Sequence, residues 1–243
     1  MTFEVYCLNY LGIKKNKNKI VTCKRRSDTF CNVFKQLLIM SKFNNNFYYS
    51  IAPEFVTLFK DEFNIPNIDI HLKEHLFLID DTFSNFIDEY RINKMYRLTL
   101  ESSQIFNEFY SENVQVLNNN NKDIYLKLFG ERSSNYLEKK WIQKRKYIEE
   151  GRYFVYIEQN EIAAYSFISD IDNGGANLVV VTLPKFRKKG YGKAVVTESV
   201  KWCFNNNILP IYLVDQSNLA SIKLAKSLGF QEMAEEIIVT INK

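Results

Sequence analysis

Hydrophobic and polar positions follow two regimes along this chain, and the change falls near residue 92. Before it, the periods are mixed. Phe30, Val33, Phe34, Leu37, Leu38 and Met40 recur near every 3.6 residues behind Ser27, a good N-cap, and predict a helix over 28–43. NFYYSI, at 46–51, predicts a strand. Pro53 predicts a short helix running through Phe59, since proline suits a first helical position. Ile68, Ile70 and Leu72 alternate with polar residues as a strand does, and Leu76–Ile79 is a short apolar run. Together these describe a small segment of mixed helix and strand.

From Asn93 on the order is more regular. Strands are predicted at Tyr96–Leu100, Tyr153–Ile157, Ile162–Ile168, Leu178–Leu183, Ile211–Val214 and Met233–Ile241. Helices are predicted at Ser102–Asn113, Ser134–Glu150, Tyr191–Phe204 and Asn218–Leu228, with Gly151 and Gly229 just past the ends of two of them. Glu158–Gln159–Asn160–Glu161 and Asp172–Asn173–Gly174–Gly175 read as hairpin turns, and Asn118–Asn121 as a surface loop. We therefore divide the chain into a smaller α/β domain, 1–92, and a larger α/β domain, 93–243.

Composition narrows the class without fixing it. Apolar residues make up 46% and charged residues 25%, which suits a globular protein, and the net charge of +4 is too diffuse to imply nucleic acid. Cys7, Cys23, Cys31 and Cys203 lack C-x-x-C spacing and read as free thiols in a reducing cytoplasm. No apolar run approaches the ~20 residues that span a bilayer. The start, MTFEVYCLNYLGIKK, places an acid early and its basic residues late, the reverse of an export signal.

The informative stretch is VVVTLPKFRKKGYGKAVV, 179–196. Lys185, Arg187, Lys188, Lys189 and Lys193 crowd around Gly190 and Gly192 where a strand gives way to a helix. The first N–H groups of a helix lack internal partners and carry the positive end of its dipole. Residues without Cβ let a bulky anion reach that backbone. The stretch thus reads as a cradle for a diphosphate. The Walker pattern G-x-x-x-x-G-K-[ST] and the dinucleotide pattern G-x-G-x-x-G are both missing.

Arg187-Lys188-Lys189-Gly190-Tyr191-Gly192 fits [RQ]-x-x-G-x-[GA], and so resembles the acetyl-CoA pyrophosphate loop of the GNAT acyltransferase superfamily. Thr182-Leu183-Pro184-Lys185-Phe186 before it, and Asn218-Leu219-Ala220-Ser221 with Leu228-Gly229-Phe230 after it, resemble the flanking motifs of that superfamily. Thr182, Trp202-Cys203, Pro210, Asp215, Asn218, Ser221 and Leu224-Ala225 look most like its bacterial "GNAT acetyltransferase" branch, which carries an additional N-terminal domain.

The resemblance implies a mixed sheet that splays between Leu178–Leu183 and Ile211–Val214, with acetyl-CoA as co-substrate in the gap. It implies that backbone groups of Val181, Thr182 and Leu183 line the pantetheine arm, that Arg187, Lys188, Lys189, Gly190, Tyr191, Gly192 and Lys193 hold the pyrophosphate, and that Asn218 and Ser221 bind further along. Acetyl would pass to an amine of a small molecule by direct attack in a ternary complex. The N-terminal domain would wall the acceptor site. Two usual residues are missing: the family's Tyr position is Ala225, and the strand before the loop has no acid. Asp215, Ser221 and Tyr165 are the candidate catalytic residues, with capping of a turn as the other reading of Asp215.

Neither a metal nor a nucleic-acid or membrane partner is expected, and a homodimer is left open. His71-Leu72-Lys73-Glu74-His75 spells an inverted zinc-protease motif, but the alternation around it speaks against the helix that chemistry needs. A module that binds CoA without turnover is the alternative reading. A tRNA-dependent transferase is disfavoured by the intact loop.

Overall fold

The computed structural model describes residues 1–14, 20–30, 34–57 and 73–242. The chain forms two compact units that interleave in sequence. One holds Met1, Thr99–Tyr212 and Ala220–Gln231; the other holds Thr2–Leu98, Leu213–Leu219 and Glu232–Lys243.

The second unit begins with α1 (Phe3–Leu11), capped by Thr2, and continues through β1 (Ile20–Thr22), β2 (Thr29–Phe30), β3 (Phe34–Phe43) and β4 (Asn46–Ile51). Here the helix expected over 28–43 is corrected to strand at 29–30 and 34–43, with 31–33 outside the described residues. The run Leu37–Ser41 is buried at every position: β3 is flanked by β4 and a much later strand, β11 (Gln231–Asn242), antiparallel to both, and its side chains are covered as well, Gln36 and Phe43 meeting Tyr10 and Phe3 of α1 while Leu37, Leu38 and Met40 pack in a core with Ile79 and Phe83. A strand covered on both faces loses its period of two and shows a continuous apolar run, which a 3.6-residue template also accepts.

Pro53 opens a short 3-10 turn, Pro53–Phe55, which continues as helix over 56–57; the last two residues of the helix expected there, 58–59, fall outside the described residues. Ile68, Ile70, Leu72, His71 and Cys31 lie outside them too. The apolar run at 76–79 belongs to a helix, α2 (Lys73–Ser84), which also carries His75. Ile79 and Phe83 of α2 pack with Leu37, Leu38, Met40, Tyr49, Ile237 and Val239 in one core. β5 (Arg91–Thr99) follows. Its Arg97 is buried against Glu236 of β11, with two guanidinium–carboxylate hydrogen bonds of 2.8 Å, and donates to Tyr6 Oη as well. Ser41 Oγ also donates to Glu236, so both buried charges are well supplied with partners.

The first unit runs from β6 (Val114–Val116) through α3 (Lys122–Leu126), α4 (Ser134–Ile142), α5 (Arg145–Glu149), β7 (Tyr153–Glu158), β8 (Glu161–Asp172) and β9 (Gly175–Thr182) to α6 (Tyr191–Asn205). It then takes the first half of β10 (Leu209–Asp215) and α7 (Leu219–Ser227). Its strands stand in the order β10-β9-β8-β7-β6, antiparallel except for the parallel pair β9–β10.

The hairpin turns form as expected, with Gln159, Asn160, Asn173 and Gly174 at positive φ. The expected helix over 134–150 is two helices, broken at Gln143–Lys144. The expected helix over 102–113 is only a 3-10 turn, Ser103–Ile105. Backbone donors that a helix would keep for itself go to tertiary partners instead: Asn107 N–H to Leu228 O at 3.0 Å and Phe109 N–H to Thr197 Oγ1 at 3.2 Å.

The two faces of this sheet differ. On one, Ser166 Oγ of β8 meets Ser199 Oγ of α6 at 2.8 Å, and small side chains let the helix settle close. On the other, Tyr153, Phe167 and Val179 join Leu117, Tyr125, Trp141 and Ile148 in an aromatic core, with Tyr153 stacked on Phe167 at 5.2 Å.

Candidate active site

β9 and β10 pair over only three positions, Leu209↔Gly175, Pro210↔Ala176 and Ile211↔Asn177. β9 continues to Thr182, so its later residues run on past the end of that ladder as an edge. On the other side of β9, the ladder to β8 shifts register between Ile168 and Ile171, leaving Ser169 and Asp170 opposite Asn177 alone. The bulge bends the strand, and the end of pairing to β10 coincides with it. Asn177 sits where the two strands part.

The ladder also settles which backbone groups of β9 are available. Leu183 donates its N–H to Ala163 O at 3.0 Å, toward β8. Alternation along an antiparallel strand then turns Val181 and Val179 the same way, and Leu178, Val180 and Thr182 toward the open edge. Val181 and Leu183, expected to offer backbone groups to a ligand, therefore direct theirs at β8. Thr182 keeps its place on the edge, and Val180 joins it, a residue that alternation could not select before the register was known. Thr182 O also accepts from Arg187 Nε at 3.4 Å.

After β9, Pro184–Phe186 make a 3-10 turn and α6 starts at Tyr191 behind Gly190. Lys188 and Gly190 both take left-handed backbone, φ 64° and 86°. Alternating hands along a short segment aim successive N–H groups into one concavity suited to an anion. Among the described residues, no side chain caps α6. Arg187, Lys188 and Lys189 are exposed around this turn. Lys185 is engaged by Glu161 in an ion pair and contributes less free charge. Tyr191 stacks on Tyr156 at 4.0 Å, fixing the first turn of the helix against β7.

The glycines act differently from the open-cradle expectation. A Cβ on Gly190 would meet the ring of Phe109 at 2.8 Å, and one on Gly192 would meet Thr182 Oγ1 at 2.7 Å and Leu224 Cδ1 at 2.8 Å. Gly190 supplies the left-handed turn; Gly192 lets α6 sit close on β9 and α7.

The remaining candidates fall into three settings. Ser221 Oγ lies 2.7 Å from the hydroxyl of the buried Tyr212, a pair that sequence reasoning missed because only the register of β10 aims Tyr212 at α7. Ala225, at the family's Tyr position, is fully buried. Tyr165 is half-buried, stacks on Tyr153 at 5.6 Å, and has its pKa raised by burial, so it stays protonated at neutral pH. Asp215 is exposed. Its Oδ1 accepts from both the hydroxyl and the N–H of Ser217, which hold its pKa below the ordinary value, and its carbonyl accepts from Asn218 N–H at 2.9 Å. A carboxylate so engaged shapes the turn that carries Asn218 and is a weak base.

Comparison with known proteins bears on the family and the fold. A family model described as GNAT acetyltransferase matches residues 73–237. Uncharacterized N-acetyltransferase YdfB of Bacillus subtilis (strain 168) is 26% identical over 106 residues, a match spanning 44% of this chain and 41% of that relative's length. An acetyltransferase of the GNAT family from Colwellia psychrerythraea superposes with a TM-score of 0.52 at 15% identity, over 80% of this chain and 75% of that one. A GCN5-related N-acetyltransferase from Sphaerobacter thermophilus gives a TM-score of 0.52 at 10% identity, over 84% and 76%. At such identities the structures speak for the fold.

Proposed function

The chain belongs to the GNAT acetyltransferase family, and on that premise we propose that it transfers an acetyl group from acetyl-CoA to an amine of a small molecule. The observation that carries the reading is the run from the free edge of β9, through the left-handed turn at Lys188 and Gly190, to the uncapped start of α6. The edge at Val180 and Thr182 fits the amides of a pantetheine arm, as an added strand would. The turn, with Arg187, Lys188, Lys189 and Lys193, fits its pyrophosphate.

The reaction is an attack by the neutral amine nitrogen on the thioester carbonyl. A C–N bond forms, the C–S bond breaks, the amine's proton goes to water, and the thiolate leaves and is protonated. We assign proton delivery to Ser221, backed by Tyr212 of β10, because Ser221 lies on the helix of Ala225, where the usual Tyr is missing. Asp215 is assigned to the turn that presents Asn218. The buried Ala225 also favours a second reading, binding without turnover.

Two measurements separate the readings. Acetyl-CoA at about a hundredfold its Kd should stabilise the fold by about 2.7 kcal/mol, visible as a raised Tm. Thiol release should then appear with spermidine, L-lysine or an aminoglycoside. A shift without release supports the binding module, and no shift at millimolar acetyl-CoA refutes both.

A further inference from the structure

Asn177 Oδ1 is the one buried side-chain oxygen or nitrogen without a hydrogen-bond partner among the described residues. Leaving such an acceptor unpaired is costly, and native folds keep few of them. Its position is specific. It stands at the residue where pairing with β10 ends and the bulge in β8 falls opposite. Along β9, Val180 pairs with Ser166, which meets α6, so Val180 faces that helix. Val179 packs in the aromatic core on the other face, and Asn177 shares its side of the strand. The bare oxygen therefore lies at the strand fork, on the face away from α6 and its cation-rich N-terminus. The residue as a whole is only half-buried.

An amide oxygen accepts and never donates, which selects its partner. The thioester carbonyl is itself an acceptor and cannot satisfy it. An amine N–H can. We propose that Asn177 is the residue that positions the acceptor amine, taking one N–H on Oδ1 so that the nitrogen lone pair is turned toward the thioester. This rests on the acetyl-transfer reading above. The choice of a carboxamide has a chemical reason. A carboxylate there would favour the ammonium form, whose nitrogen cannot attack, whereas a neutral acceptor orients the amine without raising its pKa.

The test uses the full chain and the panel amine (spermidine, L-lysine or an aminoglycoside) that the wild type acetylates fastest. Asn177→Leu keeps the size and removes the acceptor. It should leave the Tm equal or higher, leave the acetyl-CoA-induced Tm shift intact, and lower kcat/KM for the amine at least tenfold. Asn177→Asp restores an acceptor but adds charge, and should move the ascending limb of the pH–rate profile to higher pH. If Asn177→Leu lowers the Tm and leaves amine kinetics unchanged, the oxygen is satisfied by a structural water and the inference is overturned. It is overturned equally if the two variants share one pH profile. Wild-type protein that binds acetyl-CoA but acetylates no panel amine refutes the transfer reading itself, and the inference falls with it.

Discussion

A glycine inside the first turn of a helix normally weakens it, so Gly192→Ala ought to stabilise α6 by about 1 kcal/mol on propensity alone. The structure predicts the opposite sign. The new methyl would stand 2.7 Å from Thr182 Oγ1 and 2.8 Å from Leu224 Cδ1, while ordinary carbon contacts lie at about 3.5–4.0 Å. Relief requires movement on two sides at once, and overpacking of this kind costs about 1–3 kcal/mol. Taking the upper part of that range and subtracting the propensity gain leaves a net loss of about 1–2 kcal/mol. For a chain of this size that lowers the Tm by roughly 2–8 °C. The same displacement lifts the start of α6 from β9, so the stabilisation by acetyl-CoA should shrink as well. Thermal melts with and without acetyl-CoA measure both effects. Leu224→Val removes part of the clash, and the double variant should be more stable than the sum of the single changes by about 0.5 kcal/mol or more. A Gly192→Ala protein that melts higher than wild type, with its acetyl-CoA shift intact, would refute the close-packing account of this glycine.

Two further outcomes are expected. Glu236→Gln leaves the buried Arg97 guanidinium without its countercharge and should cost about 3–5 kcal/mol, a fall in Tm of roughly 6–20 °C, whereas the paired change Arg97→Met with Glu236→Leu should recover much of it. Asp215 has a lowered pKa, so the stability it contributes is present above its unfolded value of about 4 and fades as pH falls through the folded value; Asp215→Asn should flatten that acid-side loss in pH-dependent melts and keep the rate of thiol release within about threefold.

Local chemistry decides what can be read from the sequence. Asn160 and the Asn173–Gly174 pair announce their turns because few residues accept positive φ. The loop from Arg187 to Gly192 stands out because its charge and glycines are contiguous. Sequence and structure part where distant partners overrule local pattern. β3 carries a helix-like period because it is covered on both faces, and its neighbour on one side, β11, comes almost two hundred residues later. Residues 102–113 give up a helix for bonds with Leu228 and Thr197. In the site, the choice between Val180 and Val181 turns on strand parity, which only the register with β8 sets, and the bare oxygen of Asn177 is visible only once the bulge is known.

The pairing of β3 with β11 also sets a timetable for synthesis. β3 ends at Phe43, and its partner strand is complete only at Asn242. At about 5–20 residues per second, a ribosome needs roughly 10–40 s to bridge that gap. During this interval the nascent chain presents one side of an apolar strand with unfilled hydrogen bonds, the kind of surface on which chains associate wrongly. Production of this protein should therefore depend on chaperone capacity and translation speed more than its finished stability would suggest, and C-terminal truncations that remove β11 should aggregate rather than yield a folded remainder.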